Sequence, residues 1–232
     1  MHGRILSETL CGTVVVSEIA YADDARLREH RHDRAYVSVL LDGAYTELEA
    51  DLPRACTPGT AIAHAAHEVH ADYFAARGRC VNLKSTQPGP LDRAAMLRAV
   101  RATFPLLERS VAALLREAHD GAPEPEPEPD WLRGVLREFG WVEPVRLDGA
   151  ARLAGMHPAH FARAFRRHIG MTPSRYRRRE RVRVASRLLL GSGRSLADVA
   201  HECGFTDQSH LTNVFRETAG VTPKRYRAAF AR

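Results

Sequence analysis

The chain has 232 residues, enough for two small domains, and its four cysteines, Cys11, Cys56, Cys80 and Cys203, are too few and too scattered for a disulfide scaffold or a paired CxxC metal site. It holds no apolar run of 18 residues and no charged-then-apolar leader, which excludes a membrane-spanning reading and leads us to expect a soluble, cytoplasmic protein. The formal net charge of +6 is unevenly shared: residues 131–232 carry 20 Arg and Lys against 8 Asp and Glu, or +12, whereas residues 1–130 carry 14 against 20, or −6.

Residues 13–85 contain short apolar runs of strand length, TVVVSEIA, AYVSVLLDGAYTELEA, GTAIAHAA and CVNLK, separated by Gly, Pro, Asp and Asn signals. They predict a small all-β unit, sandwich or barrel. His30 and His32 are two apart and share a face of any strand there; Gly43 follows a hydrophobic strand, and Pro58-Gly59 precedes His64, His67 and His70. Two imidazoles and a third can hold a divalent metal. The reading adopted is that they line a pocket, with a metal on His30, His32 and His70 as the alternative. Glu47, on the same strand face as Tyr45, reads as a solvated strand residue.

From Leu91 to His119 the period becomes helical. Leu97, Val100, Phe104, Leu107, Val111 and Leu114 recur at spacings of three and four and make a narrow seam, suited to a homodimer or to packing on the β-unit. Pro105 should split or kink this run. Residues 121–130, GAPEPEPEPD, alternate Pro with Glu and lack an apolar anchor, as a semi-stiff interdomain linker does. Asp130 is placed to cap a helix carrying Trp131, Leu132, Val135, Leu136 and Phe139.

The stretch from Leu147 to Arg227 is written twice. At an offset of 49 and then 50 residues, Leu147 falls on Leu196, Ala151 on Ala200, Gly155 on Gly204, Phe161 on Leu211, Phe165 on Phe215, Gly170 on Gly220, Thr172-Pro173 on Thr222-Pro223, and Tyr176-Arg177 on Tyr226-Arg227. Each copy reads as a short helix, a turn at the glycine and a second helix, which is a helix-turn-helix. Pro158, Thr206, Thr172 and Thr222 are start signals, and Gly191-Ser192-Gly193 closes a long helix from Pro173 that could space the two units. On a helical wheel Phe161, Ala164, Phe165 and His168 cluster in the first copy, opposite Ala159, His160, Arg163, Arg166 and Arg167. In the second, Leu211, Val214 and Phe215 pack while Ser209, His210, Asn213 and Arg216 face away, with Thr212 beside them. Such donors suit base edges and phosphates in a major groove: Arg163, Ser209 and Asn213 for bases, Arg166 and Arg216 for phosphates. Arg177, Arg178, Arg179, Arg181 and Arg183 read singly as a solvated helix face, but a +12 unit with two such patterns expects a polyanion.

The run GFTDQSHLTNVFRETAGVTPKRYR, preceded by the weaker copy GMHPAHFARAFRRHIGMTPSRYR, resembles the AraC/XylS family of bacterial transcription regulators. The region from about residue 5 to 85 resembles the cupin-type sensor domain that often precedes such a reader. A metal-binding cupin has a carboxylate where this chain has Tyr36, and the spacing of eleven residues after Gly59 favours His70 as the inward histidine of the second motif. The resemblance implies an α+β chain of two domains: a cupin-like effector-sensing β-domain (1–88), a helical dimerisation or packing segment (89–120), the linker (121–130) and an all-α tandem helix-turn-helix DNA-binding domain (131–232). It implies a sequence-specific regulator and not an enzyme, with no cofactor. The expected partners are double-stranded DNA, RNA polymerase, a second copy of the chain and a small effector bound by His30, His32, Tyr36 and His70.

Overall fold

Strand-period alternation folds the N-terminal part of this computed structural model into two antiparallel sheets laid face to face. The structure describes residues 3–119, 129–139, 141–142 and 147–231; all but the last two residues of the expected linker lie outside that set. The strands are β1 (Arg4–Cys11), β2 (Val14–Tyr21), β3 (Ala25–Arg31), β4 (Tyr36–Asp42), β5 (Tyr45–Glu49), β6 (Leu52–Cys56), β7 (Ala61–His64), β8 (Val69–Phe74) and β9 (Gly78–Ser85). One sheet runs β1-β2-β9-β4-β7 and the other β3-β8-β5-β6. This is a double-sheet arrangement of the jelly-roll type.

The strands β2, β9 and β4 at the centre of the five-stranded sheet are covered on both faces. Their outer residues Val14, Val16, Val37, Val39, Val81 and Leu83 pack with Ala95, Met96, Ala99, Val100, Val111 and Leu115 of α1 (Arg93–Thr103) and α2 (Glu108–His119). Pro105 opens a single 3-10 turn, Pro105–Leu107, that separates these helices, because its ring excludes the carbonyl one turn back. The Leu97–Leu114 seam packs on this sheet. Val100 and Val111 are fully buried in their own unit, and Leu97, Leu107 and Leu114 lean on the same core. The inner residues of β4, Tyr36, Ser38 and Leu40, face the second sheet. Between the sheets sit Ala25, Leu40, Tyr45, Cys56, Ile62, Phe74 and Cys80.

Four strands have no counterpart among the apolar runs of the sequence. β1 is almost wholly exposed, β3 alternates arginines with Leu27 and His30, β6 contains Pro53, and β8 turns His70 and Asp72 inward. In β3 and β8 polar inward residues hide the period of two, in β1 exposure does, and in β6 the proline does.

The chain divides into two compact units, Met1–Gly121 with Ala219–Val221, and Ala122–Thr218 with Thr222–Arg232. The second is helical: α3 (Asp130–Glu138), α4 (Asp148–Leu153), α5 (Pro158–Ile169), α6 (Pro173–Gly191), α7 (Leu196–Glu202), α8 (Gln208–Ala219) and α9 (Pro223–Phe230). Leu132, Val135, Phe139 and Trp141 form one core with Ala150, Ala151, Phe161 and Phe165. Val199, Ala200, Cys203, Phe205, Leu211 and Phe215 are buried in the second copy, where Phe215 meets Tyr226 with ring centres 5.0 Å apart. Asp130 is the first residue of α3, and Pro129 holds the cap position expected for it.

Helix ends explain the punctuation. Thr172 and Thr222 each accept a backbone N–H three residues on, from Arg175 and Arg225, both at 3.3 Å. The cap expected at Thr206 is instead Asp207, whose Oδ1 accepts the His210 N–H at 2.8 Å, so α8 begins two residues after Thr206. Gly155 and Gly204 take left-handed φ of +65° and +70° at the two turns. A Cβ on Gly204 would lie 2.1 Å from the carbonyl oxygen of Val142 and 3.0 Å from the Arg181 guanidinium, whereas one on Gly155 would meet nothing within 4 Å.

Candidate functional site

Each helix-turn-helix copy presents an outward face on its second helix. On α5, Phe161 and Phe165 are buried, which turns His160, Arg163, Arg166 and Arg167 to solvent. On α8, Leu211, Val214 and Phe215 are buried, leaving Ser209, Asn213 and Arg216 exposed. Two of the expected readers are engaged locally. His210 stands edge-on to Phe205, with its Nδ1 3.0 Å from Thr206 Oγ1, and the Thr212 hydroxyl donates to the Gln208 carbonyl at 2.8 Å. Gln208, the exposed first residue of α8, belongs to the same outward tip.

The α6 arginines are not one solvated face. The Arg181 guanidinium lies 5.9 Å over the Phe205 ring, and burial holds its pKa below the usual value. Arg178 pairs with Glu217. At 1.5 Å per residue the 19-residue α6 is about 28 Å long.

In the N-terminal unit, the two sheets enclose a cavity of about 650 Å³. Its walls are partly apolar and aromatic, including Tyr21, Tyr45 and Phe74, and partly a polar cluster of His30, His32, Tyr36, Glu47, His64 and Asp72. Strand register builds that cluster. His30 is the partner of His70 across β3 and β8, Tyr36 of His64 across β4 and β7, and Glu47 of Asp72 across β5 and β8. The rings of His30 and His70 are 4.3 Å apart, those of His32 and His70 5.5 Å, and those of His64 and His70 4.5 Å. His70 Nε2 is 3.0 Å from the Tyr36 hydroxyl, and His30 Nδ1 is 2.8 Å from the Arg28 carbonyl oxygen.

The four residues expected to meet an effector, His30, His32, Tyr36 and His70, are thus brought together, and three more join them. His64 is inward as well as His70, whereas His67 sits exposed in the intervening turn at a φ of 65°. Glu47, expected in solvent, is 1% exposed, with Tyr45 donating to it at 3.4 Å. The error is one of face: Tyr45 points inward, so the residue two places on must point inward too. Asp72 faces Glu47.

Burial governs the charges. It lowers the pKa of His32 to about 4 and of His70 to about 3, neighbouring imidazoles adding to the effect, and it lowers that of His64. Burial also raises Glu47 to about 7 and Asp72 well above the usual carboxylate range. Near neutral pH these three imidazoles are neutral, the form that binds metals and accepts hydrogen bonds. Glu47 Oε1 and His70 Nδ1 are buried without a hydrogen-bond partner among the described residues. Donor atoms of His30, His32 and His70 lie within 4.8 Å of one another, as do those of His64, Glu68 and His70, so either group can be considered for a metal. Among the described residues, no helix is long and apolar enough to cross a membrane.

Residues 150–229 match a family model described as a helix-turn-helix domain. The chain is similar to the HTH-type transcriptional activator RhaS of Pectobacterium atrosepticum, 36% identical over 83 residues, which are 34% of this chain and 30% of RhaS. It is also similar to the uncharacterised HTH-type transcriptional regulator YbfI of Bacillus subtilis, 36% identical over 88 residues, 38% of this chain and 31% of YbfI. The match spans under a third of the length of these relatives. Among solved structures, the DNA-binding domain of AdpA in complex with a target DNA is 36% identical, with 38% of this chain and 80% of that one covered and a TM-score of 0.37. A cupin superfamily protein of Desulfitobacterium hafniense is 16% identical, with 38% and 84% covered and a TM-score of 0.32.

Proposed function

We propose that residues 150–229, which match a helix-turn-helix family model, form a tandem DNA-binding domain of the AraC/XylS type, and that the chain is a sequence-specific DNA-binding transcription regulator governed by a small effector held in the N-terminal cavity. The carrying observation is the pair of exposed polar faces on α5 and α8, set on a unit whose residues 131–232 bear a net +12. Arg163, Ser209 and Asn213 read base edges in two stretches of major groove. Arg166, Arg167 and Arg216 lie against phosphates, and His160 and Gln208 flank the reading faces. His210 and Thr212 act by holding the tip of α8 in shape.

The cavity supplies regulation. About 650 Å³ suits a metabolite-sized ligand, aromatic walls supply its apolar contact, and neutral imidazoles supply its hydrogen bonds. An effector acts only by binding the DNA-competent arrangement better or worse than the other, and a tenfold preference is about 1.4 kcal/mol. Two tethered copies would raise the affinity of weak readers, so the working form is a homodimer. The exposed Ile5 and Leu10 on the edge strand β1 suit such a contact better than the buried helical seam.

A footprint of the protein on the DNA upstream of its own gene tests the reading. Protection of two major-groove stretches one helical turn apart is the expected result. Equal affinity for that DNA and for unrelated sequence at physiological salt would refute it.

A further inference from the structure

The cavity wall is rich in acceptors and poor in positive charge. Glu47 and Asp72 are register partners on β5 and β8, both line the cavity, and like charges directly opposite one another are unfavourable unless a third group offsets them. Glu47 is 1% exposed and the Asp72 side chain 13%, and among the described residues neither meets a lysine or arginine within 4.0 Å. Arg54, opposite Glu47 on the edge strand β6, is exposed and acts on it through water. The near imidazoles, His64 Nε2 to Glu47 Oε2 and His70 Nε2 to Asp72 Oδ2, both stand at 3.9 Å, beyond hydrogen-bond distance. Glu47 Oε1 and Asn82 Oδ1 are buried in residues of the cavity wall without a hydrogen-bond partner among the described residues. His64 adds a third acceptor: its Nδ1 lies 3.0 Å from Glu68 Oε1, and a proton donated there leaves Nε2 with its lone pair. The remaining wall is aromatic. Phe74 stacks on Tyr21 with ring centres 4.1 Å apart and on Tyr45 at 4.9 Å, and all three rings line the cavity.

We propose that the cavity takes an organic cation, an amine or guanidine of metabolite size, whose N–H groups donate to Glu47, Asp72 and Asn82 while its carbon skeleton rests on Tyr21, Phe74 and Tyr45. Its charge offsets what burial and mutual repulsion impose on the two carboxyls. Its N–H groups meet the unpartnered acceptors, and the ring faces attract both the charge and the carbon next to it. A neutral polyol meets the acceptors but leaves the carboxyls opposed. A bare metal ion is the poorer occupant of this pair, because the donor sets that converge within 4.8 Å among the described residues contain neither Glu47 nor Asp72. Arg26, Arg28 and Arg31 also line the cavity, but all three are exposed and screened by water. This occupant rests on the reading of the cavity as the effector site, and its binding is measured without DNA so that the two stand or fall separately.

Full-length protein kept in chelator is titrated by calorimetry at neutral pH with benzylamine, putrescine and agmatine, and with the neutral benzyl alcohol and butanediol. At least one of the three cations should bind with one equivalent and at least tenfold more tightly than either alcohol. Glu47→Gln and Asp72→Asn keep the size of each side chain and remove its charge, and each should weaken that binding at least tenfold, with folding checked by circular dichroism. Should a variant fail to fold, the comparison of cations with alcohols on the wild type decides by itself. The proposal is overturned if none of the three cations binds, if an alcohol binds as tightly as the best of them, or if either folded variant binds that cation as the wild type does. Cation binding that leaves operator affinity unchanged would count against the cavity as the regulatory site and not against its occupant.

Discussion

Arg163 and Asn213 stand on the exposed faces of α5 and α8, opposite buried phenylalanines that fix the rotation of each helix. Replacing either with Ala should cost about 1 to 3 kcal/mol on the operator and relax preference at one base pair, as read by competition binding against single-base variants. Unchanged affinity and unchanged preference in both would refute their placement. The four thiols make a second case at this scale. Burial raises Cys56 and Cys80 to about 12 and Cys203 to about 11, and all three are enclosed, whereas Cys11 is partly exposed. Since the thiolate is the nucleophile, an aromatic disulfide reagent at pH 8 should react quickly with one equivalent in the native protein and with four after unfolding. Residue identity was legible here and residue environment was not. Glu47 shares a face with Tyr45, yet a lone acid on a strand is ordinarily wet, and only its register with Asp72 and its approach to His64 show it enclosed.

At the scale of elements, periodicity revealed what has one apolar face and missed what has none. The four runs read as strands correspond to β2, β4, β5, β7 and β9, each of which has apolar residues on at least one face. β3 and β8 line the cavity with His30, His70 and Asp72, so the functional surface erased the pattern that would have announced them. The helical seam shows a different ambiguity: spacing tells that a partner is needed but not whether it lies in the same chain. Because α1 packs on the five-stranded sheet, Met96→Ala should destabilise the N-terminal unit by about 2 to 5 kcal/mol in denaturant unfolding. Leu106→Ala, at a residue 95% exposed in the turn between the helices, should change it by less than about 0.5 kcal/mol. Equal effects would mean that the helices do not rest on the sheet as described.

Across the whole molecule, the division of charge was the most readable property, because it needs only counting. A +12 unit and a −6 unit on one chain make affinity for DNA a steep function of salt. The logarithm of the operator association constant should fall linearly with the logarithm of salt concentration. Arg166→Ala or Arg216→Ala should each flatten that slope by about 0.9, while weakening related and unrelated DNA alike. A slope unchanged by both would move the phosphate contacts to other arginines, of which α6 holds several. Which of them face solvent could not be counted from composition, since Arg181 lies over Phe205 and Arg178 pairs with Glu217.

The duplicated glycine shows what happens to a repeat after it is copied. Gly155 needs only the left-handed backbone, which asparagine adopts at modest cost, while Gly204 must also leave room for the Val142 carbonyl and the Arg181 guanidinium. Gly155→Asn should therefore leave the protein folded and binding DNA, and Gly204→Asn should lower the thermal midpoint markedly and abolish operator binding; indistinguishable melting curves would refute the difference. Two copies that are equal on paper thus have unequal freedom. The first turn has latitude to drift in sequence while keeping its shape, the second is locked by its neighbours, and an ancestral symmetry of the two halves would fade from one side only.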